Sequence, residues 1–161
     1  MNIKSPNEVI TELSTNENIP PHQLDAINSL VSEMSEIGVN SIEYRNQNYV
    51  FKNKIKIGDG KFRTSFGISI RRLTNEDFIK FCREMPEKYR KPSKCKCATG
   101  NKVCNTGLAM KKGKINSFIC NSGWLHLPCE MDIVPYVIRA YHLAKSKSQY
   151  PPDYSNDLVM I

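Results

Sequence analysis

Residues 41–70 read SIEYRNQNYVFKNKIKIGDGKFRTSFGISI. Apolar and polar residues alternate along this stretch with period two, the signature of half-buried strands. SIEY and YVFK flank a polar turn at RNQN. KIKI and KFRTSF flank a bend at Gly58, Asp59 and Gly60. GISIRRL adds a further strand. The segment therefore predicts an antiparallel meander of three to five strands, of about the usual sheet size. Lys54, Ile55, Lys56 and Ile57 give one apolar and one basic face. Tyr44, Tyr49, Phe51, Phe62 and Phe66 interleave with Lys52, Lys54, Lys56, Lys61 and Arg63. Two readings stay open: the rings form a core, or some face outward and stack on the bases of a single strand while the cations hold phosphates.

Upstream the rhythm is helical. SPNEVITEL opens with a capping box, Ser5 three residues before Glu8, and with proline at the first helical position. In PPHQLDAINSLVSEMSEIG, Leu24, Ile27, Leu30, Val31, Met34 and Ile37 recur every three or four residues and Gly38 ends the helix. Downstream of the meander, LTNEDFIKFCREM restarts a helix from Thr74, with Phe78, Phe81, Cys82 and Met85 on one face. Cys82 reads there as a small buried hydrophobe. MDIVPYVIRAYHLAKSKS closes the fold as a helix capped by Asp132, with Val134, Val137, Ile138 and Tyr141 on its apolar side.

The 161 residues carry a net charge of +7. Residues 1–43 hold one Lys against seven acids, so the other 118 residues carry +13. Residues 45–72 contain eight bases and one acid, and residues 86–114 nine bases and one acid. Such a field attracts polyanions, nucleic acid above all. Richness in Asn, Lys and Ile hints at an AT-rich, viral or phage genome. No run of about 18 apolar residues is present, so no membrane-spanning helix is expected. The N-terminus lacks a basic start followed by an apolar stretch, so a reducing intracellular compartment, cytoplasm or nucleus, is expected.

In that setting clustered cysteines point to metal rather than disulfides. Five of six cysteines and one of three histidines fall in CKCATGNKVC, residues 95–104, and CNSGWLHLPC, residues 120–129. Zinc takes four Cys or His ligands at tetrahedral corners, about 2.0–2.3 Å away. Cys95 and Cys97 form one local pair; His126 and Cys129 form another, separated from it by a loop of 28 residues. These four make a complete set. Cys104 and Cys120 are alternates, and Cys97, Cys104, Cys120 and Cys129 form a competing set.

Trp124, His126 and Cys129 resemble the second half of a PHD-type finger, in which an aromatic lies two before the ligand His and a Cys three after it. Cys95 and Cys97 are similar to the opening pair of such fingers. The resemblance implies that Cys95, Cys97, His126 and Cys129 share one Zn2+. It covers about 35 residues, and only Cys104 and Cys120 remain for a second metal. KCKC and KKGKINSFIC also resemble parts of a GRF-type finger.

The expected fold is α+β: N-terminal helices packed on a small antiparallel β-meander, then a zinc-finger-like module and a C-terminal helix. The expected divisions are 1–90, 91–131 and 132–161. The leading functional expectation is a zinc-stabilised, basic nucleic-acid-associated accessory factor. Its phosphate contacts would come from Lys52, Lys54, Lys56, Lys61, Arg63, Arg71, Arg72, Lys111, Lys112 and Lys114. An alternative is a protein-interaction or assembly module that docks through the C-terminal tail or the acidic N-terminal helices. A third is a cysteine hydrolase built on Cys120 and His142, although no orienting residue in a recognisable context accompanies them and no Gly-rich phosphate loop is present.

Overall fold

The computed structural model describes residues 2–61, 64–74, 77, 80–81, 84–86, 92–94, 105–111, 114–118 and 124–147, with the backbone alone for the strands between 92 and 118. The protein is α+β. It contains strands β1 (Ile3–Lys4), β2 (Ile42–Arg45), β3 (Asn48–Phe51), β4 (Ile55–Gly58), β5 (Ser65–Ser69), β6 (Pro92–Lys94), β7 (Asn105–Lys111), β8 (Lys114–Phe118) and β9 (Trp124–Pro128). Its helices include α1 (Pro6–Ser14), α2 (Pro21–Glu36) and α3 (Val134–Leu143), and the described residues Asp77, Lys80, Phe81 and Glu84 are helical too. The strands form a six-stranded sheet in the order β1-β2-β3-β4-β5-β9 and a three-stranded sheet in the order β6-β7-β8. The pairings from β1 to β5, and those among β6, β7 and β8, are antiparallel.

The chain divides into two compact units. The first comprises Met1–Ile68 with Leu127–His142, the second Ser69–His126 with Leu143–Ile161.

The capping box forms as the sequence implies. Glu8 N donates to Ser5 Oγ and Ser5 N to Glu8 Oε1, each at 3.2 Å. Val9 and Leu13 are the buried residues of α1. Helix α2 ends in a Schellman motif: Val39 N donates to Met34 O at 2.8 Å and Gly38 N to Ser35 O at 3.0 Å. Gly38 supplies the left-handed residue, with φ +96°, that the motif requires. Ile37 corrects the expected apolar face. As the C-cap it turns out of the stripe and is 44% exposed.

The meander forms with two tight turns. Asn46 and Gln47, at φ 51° and 63°, make the two-residue connection from β2 to β3. Positive φ at both positions matches the twist of a hairpin. Lys52 and Asn53 repeat this at φ 53° and 58° between β3 and β4. Phe51, Ile55, Ile57 and Phe66 are fully buried, while the alternating Lys56 is only half-buried. The first unit's core also holds Ile27, Leu30, Val31, Met34, Ile42, Ile133 and Val137, each at 0% exposure. Each such side chain contributes about 1.5–3 kcal/mol by leaving water.

The closing helix starts in a different way from that expected. Asp132 lies inside a 3-10 turn, Met131–Ile133, whose N-cap is Glu130, and α3 follows directly. Val134, Val137 and Ala140 are its buried residues. Ile138 and Tyr141 are half-buried. Among the described residues, no helix is long and apolar enough to cross a membrane.

A non-glycine residue in the left-handed region costs roughly 1–2 kcal/mol. Gln47→Gly should therefore raise stability by up to about 1 kcal/mol, a rise of about 2–4 °C in Tm for a chain of this size. A calorimetric scan checks this; an unchanged or lower Tm would contradict the turn geometry.

Candidate functional site

The first unit carries a polar cleft of about 540 Å³. Five stretches of chain meet there: β1 brings Lys4, α1 brings Glu12, the α1–α2 loop brings Asn16, the β2–β3 hairpin brings Tyr44 and Tyr49, and the turn after β4 brings Asp59. The hairpin register sets Tyr44 directly opposite Tyr49, with ring centroids 5.0 Å apart and planes tilted by 48°.

Two carboxylates organise the cleft. Glu12 accepts Lys4 Nζ at 2.5 Å on Oε1 and the Tyr49 hydroxyl at 2.9 Å on Oε2. Asp59, only 6% exposed, accepts the Tyr44 hydroxyl at 2.6 Å on Oδ2 and Lys61 N at 2.9 Å on Oδ1. A buried charge persists only when it is bonded in this way. The backbone of Asp59 is tied as well: its N donates to Gln47 O at 3.0 Å, and its O accepts Asn16 Nδ2 at 3.2 Å. Lys4 Nζ lies 5.8 Å from the Tyr44 ring centroid.

Gly60 makes this approach possible. At φ +88° it sits against the α1–α2 loop, and an added Cβ would stand 2.5 Å from Asn16 Nδ2 and 3.0 Å from Ile19 Cδ1. No side chain fits there.

Burial pulls Glu12 upward, but the hydrogen bonds from Lys4 and Tyr49, with the positive charges of Lys4 and Lys61, outweigh it and hold the carboxyl below its ordinary value. The bond to Asp59, then burial, pushes Tyr44 up to about 12. Burial first, then the bond to Glu12, raises Tyr49 further still. At neutral pH these three groups are one anion and two neutral phenols. None of the three titrates near 7, so they offer binding groups rather than a general acid or base.

The residues singled out from the sequence meet varied fates. Lys52 is exposed in its turn and Lys61 is exposed at the cleft. Lys54 lies with Nζ 4.7 Å from the Tyr141 ring centroid. The stem of Lys56 covers Gly67, where an added Cβ would meet Lys56 Cγ at 2.6 Å. Arg72 donates to the carbonyls of Lys145 and Ser146, and Arg72 O accepts Lys145 N at 2.7 Å. Its guanidinium is thus a tether. Arg71 shares the Ile70–Arg72 turn. Lys111 and Lys114 face each other in register at the β7–β8 end. Arg63 and Lys112 lie outside the described residues. Of the aromatics, Phe51 and Phe66 are wholly buried and Tyr49 is 4% exposed, which leaves those rings no face for bases. Phe62 lies outside the described residues.

Of the candidate zinc ligands, His126 is on β9, and Cys129, just beyond it, is 1% exposed, its thiol pushed up by burial. Cys95, Cys97, Cys104 and Cys120 lie outside the described residues, as does Cys82. Among the described residues, no group of three or more His, Cys, Asp or Glu is arranged to hold a metal ion. The Trp124–Pro128 part of the finger-like segment is an edge strand of the six-stranded sheet. His142, one half of the hydrolase pair, is exposed on α3 with its ring 5.6 Å from that of Tyr141.

Sequence reading missed the cleft. Glu12 read only as one of the seven acids of residues 1–43, and the tyrosines as strand aromatics. One signal was available: Asp59 is the single acid in the basic stretch 45–72. No family model, curated protein or solved structure matches the chain.

The pKa directions fix the stability profile. Tyr44 is raised on folding, so its bond contributes fully below the ordinary tyrosine value of about 10 and is lost as pH rises through about 12. Glu12 is lowered, so its contribution is present above the ordinary 4.5 and lost as pH falls through the lower folded value. Tyrosinate absorbance should show Tyr44 and Tyr49, two of the seven tyrosines, ionising above the ordinary tyrosine value. Glu12→Gln should lower Tm at pH 7 and flatten the acid limb. Ordinary titration of all seven tyrosines would contradict the hydrogen bonding described.

Proposed function

We propose that the chain is a zinc-stabilised, nucleic-acid-associated accessory factor, with zinc held at one end of the three-stranded sheet and phosphates met at the other. The observation that carries this reading is the register of that sheet. Lys94 pairs with Asn105, and Gly107 with Phe118. The end of β6, the start of β7 and the end of β8 therefore share one side. Cys95 is bonded directly to Lys94, Cys97 follows two residues later, Cys104 directly precedes Asn105, and Cys120 lies two beyond Phe118. At about 3.8 Å per residue, covalent geometry keeps each within roughly 11 Å of its strand end. Four thiolates suit a closed structural zinc site, worth on the order of 10 kcal/mol of folding energy. This favours Cys95, Cys97, Cys104 and Cys120 over sets that draw on His126 and Cys129. Cys129 is already a core residue.

The opposite end supports the polyanion. Lys111 and Lys114 are direct cross-strand partners, with Lys112 in the connection between them. Like charges set opposite each other are destabilising, and a phosphate backbone relieves that repulsion. Lys52 and Lys61 add exposed cations on the first unit.

Elemental analysis should find one zinc per chain. Cys104→Ser or Cys120→Ser should abolish it, while Cys129→Ala should keep the zinc and lower stability. Affinity for a labelled single-stranded oligonucleotide should fall steeply with salt, and replacing Lys111, Lys112 and Lys114 by Ala should reduce the log–log slope by roughly 2. Metal-free protein, or affinity that ignores salt, would overturn the proposal.

A further inference from the structure

The cleft of the first unit has the composition of a ligand site that is separate from the basic hairpin. Its volume of about 540 Å³ lies within the range of roughly 300–1,000 Å³ usual for small-molecule sites. Its charges balance: Lys4 and Lys61 against Glu12 and Asp59. An anion would meet the two carboxylates, and a cation would meet the two ammonium groups. A neutral ligand avoids both costs.

The hydrogen-bonding inventory narrows the class. An ionised carboxylate offers about four acceptor positions. Glu12 uses one for Lys4 and one for Tyr49, and Asp59 one for Tyr44 and one for the Lys61 amide. Each therefore keeps about two acceptor positions. The two phenolic protons are already committed to the carboxylates. The cleft thus asks its ligand for protons. In return it offers the remaining Lys4 protons and the Asn2 and Asn18 amides along its wall. A hydroxyl group satisfies both demands at once, donating to a carboxylate and accepting from an ammonium or amide. Two adjacent hydroxyls can span the two oxygens of one carboxylate. The half-buried Tyr44 ring supplies an apolar face of the kind that packs on ring C–H groups.

We infer that this cleft binds the vicinal diol of a neutral sugar ring, gripped by Asp59 and Glu12 and flanked by Lys4 and Tyr44. The network is assembled before any ligand arrives, since Lys4, Glu12 and Asp59 already have partners holding them in place. The inference stands apart from the zinc and nucleic-acid reading, because no residue of the β7–β8 hairpin or cysteine window takes part and Lys61 alone is shared between them.

A sugar diol has two sources, a free saccharide or the ribose of a ribonucleoside, and one experiment separates them. Protein resonances are followed by NMR during titration with adenosine, 2′-deoxyadenosine and methyl glucopyranoside. Binding of adenosine, at least tenfold weaker for the deoxy compound, assigns the ribose. Binding of the glucoside assigns a free saccharide. In either case the shifts should centre on Tyr44 and Asp59, and Asp59→Asn should weaken binding at least tenfold. Should Asp59→Asn fail to fold, Glu12→Gln makes the same test from the opposite wall. Lys52→Ala, in a turn that does not line the cleft, should leave affinity within about threefold. No binding by any probe, equal binding of adenosine and its deoxy form without binding of the glucoside, or binding indifferent to both carboxylate changes would overturn the inference.

Discussion

Two phenol–carboxylate bonds, Tyr49 to Glu12 and Tyr44 to Asp59, join parts of the chain that local structure alone would leave independent. One runs from the hairpin to α1, which Lys4 in turn ties to β1. The other runs from the hairpin to the turn after β4. The first strand is only two residues long, too short to persist on its own pairing. Its place in the sheet is reinforced by the ion pair that fastens Lys4 to α1 and by the bond from Tyr44 N to Asn2 O. Hydrogen bonds to ionised groups are about twice as strong as neutral ones, so these few contacts set the cleft's geometry on top of the apolar core. The cost is a fixed requirement at the crossing point. Gly60 must remain without a side chain for Asp59 to arrive within reach of Asn16.

Much of the first unit was legible because its signals are local. Ser5 and Glu8 name the start of α1, Gly38 the end of α2, and the alternation of Ile55, Lys56 and Ile57 the edge between core and solvent. What escaped was encoded without a period. Ile3 and Lys4 are too few to alternate, and their pairing with Glu43 and Ile42 spans some forty residues. Strand β9 did carry a readable pattern. Leu125 and Leu127 are buried and flank half-exposed His126, but a histidine spaced three residues from a cysteine reads first as a ligand pair. The three-stranded sheet was hidden for the same reason: the cysteines that flank its strands in sequence read first as metal ligands, and PSK, NTGLAMK and KINSF contribute only short apolar runs.

The cleft was hard to foresee for a different reason. Its members come from positions 4, 12, 16, 44, 49 and 59, and no spacing rule links them. Each has an ordinary local role: a wet helix position, a strand aromatic, a turn acid. Only the register that sets Tyr44 opposite Tyr49 and the close passage at Gly60 turn them into a common surface. The zinc candidates are the mirror case. They are conspicuous in sequence, and the grouping proposed for them rests on the pairing of the neighbouring strands rather than on their own spacing.

The isoelectric point of about 9.1 treats every cation as equal, and the fold does not. Lys56 serves as a hydrocarbon spacer above Gly67, Lys54 leans on Tyr141, and Arg72 holds the chain at Ser146. Their charges persist, but their positions are dictated by architecture. A chemically modified form in which all lysines lose charge would therefore forfeit structural contacts along with its net positive charge. Lysine acylation of this protein would confound the two effects, and substitution at single, freely projecting sites such as Lys52 separates them.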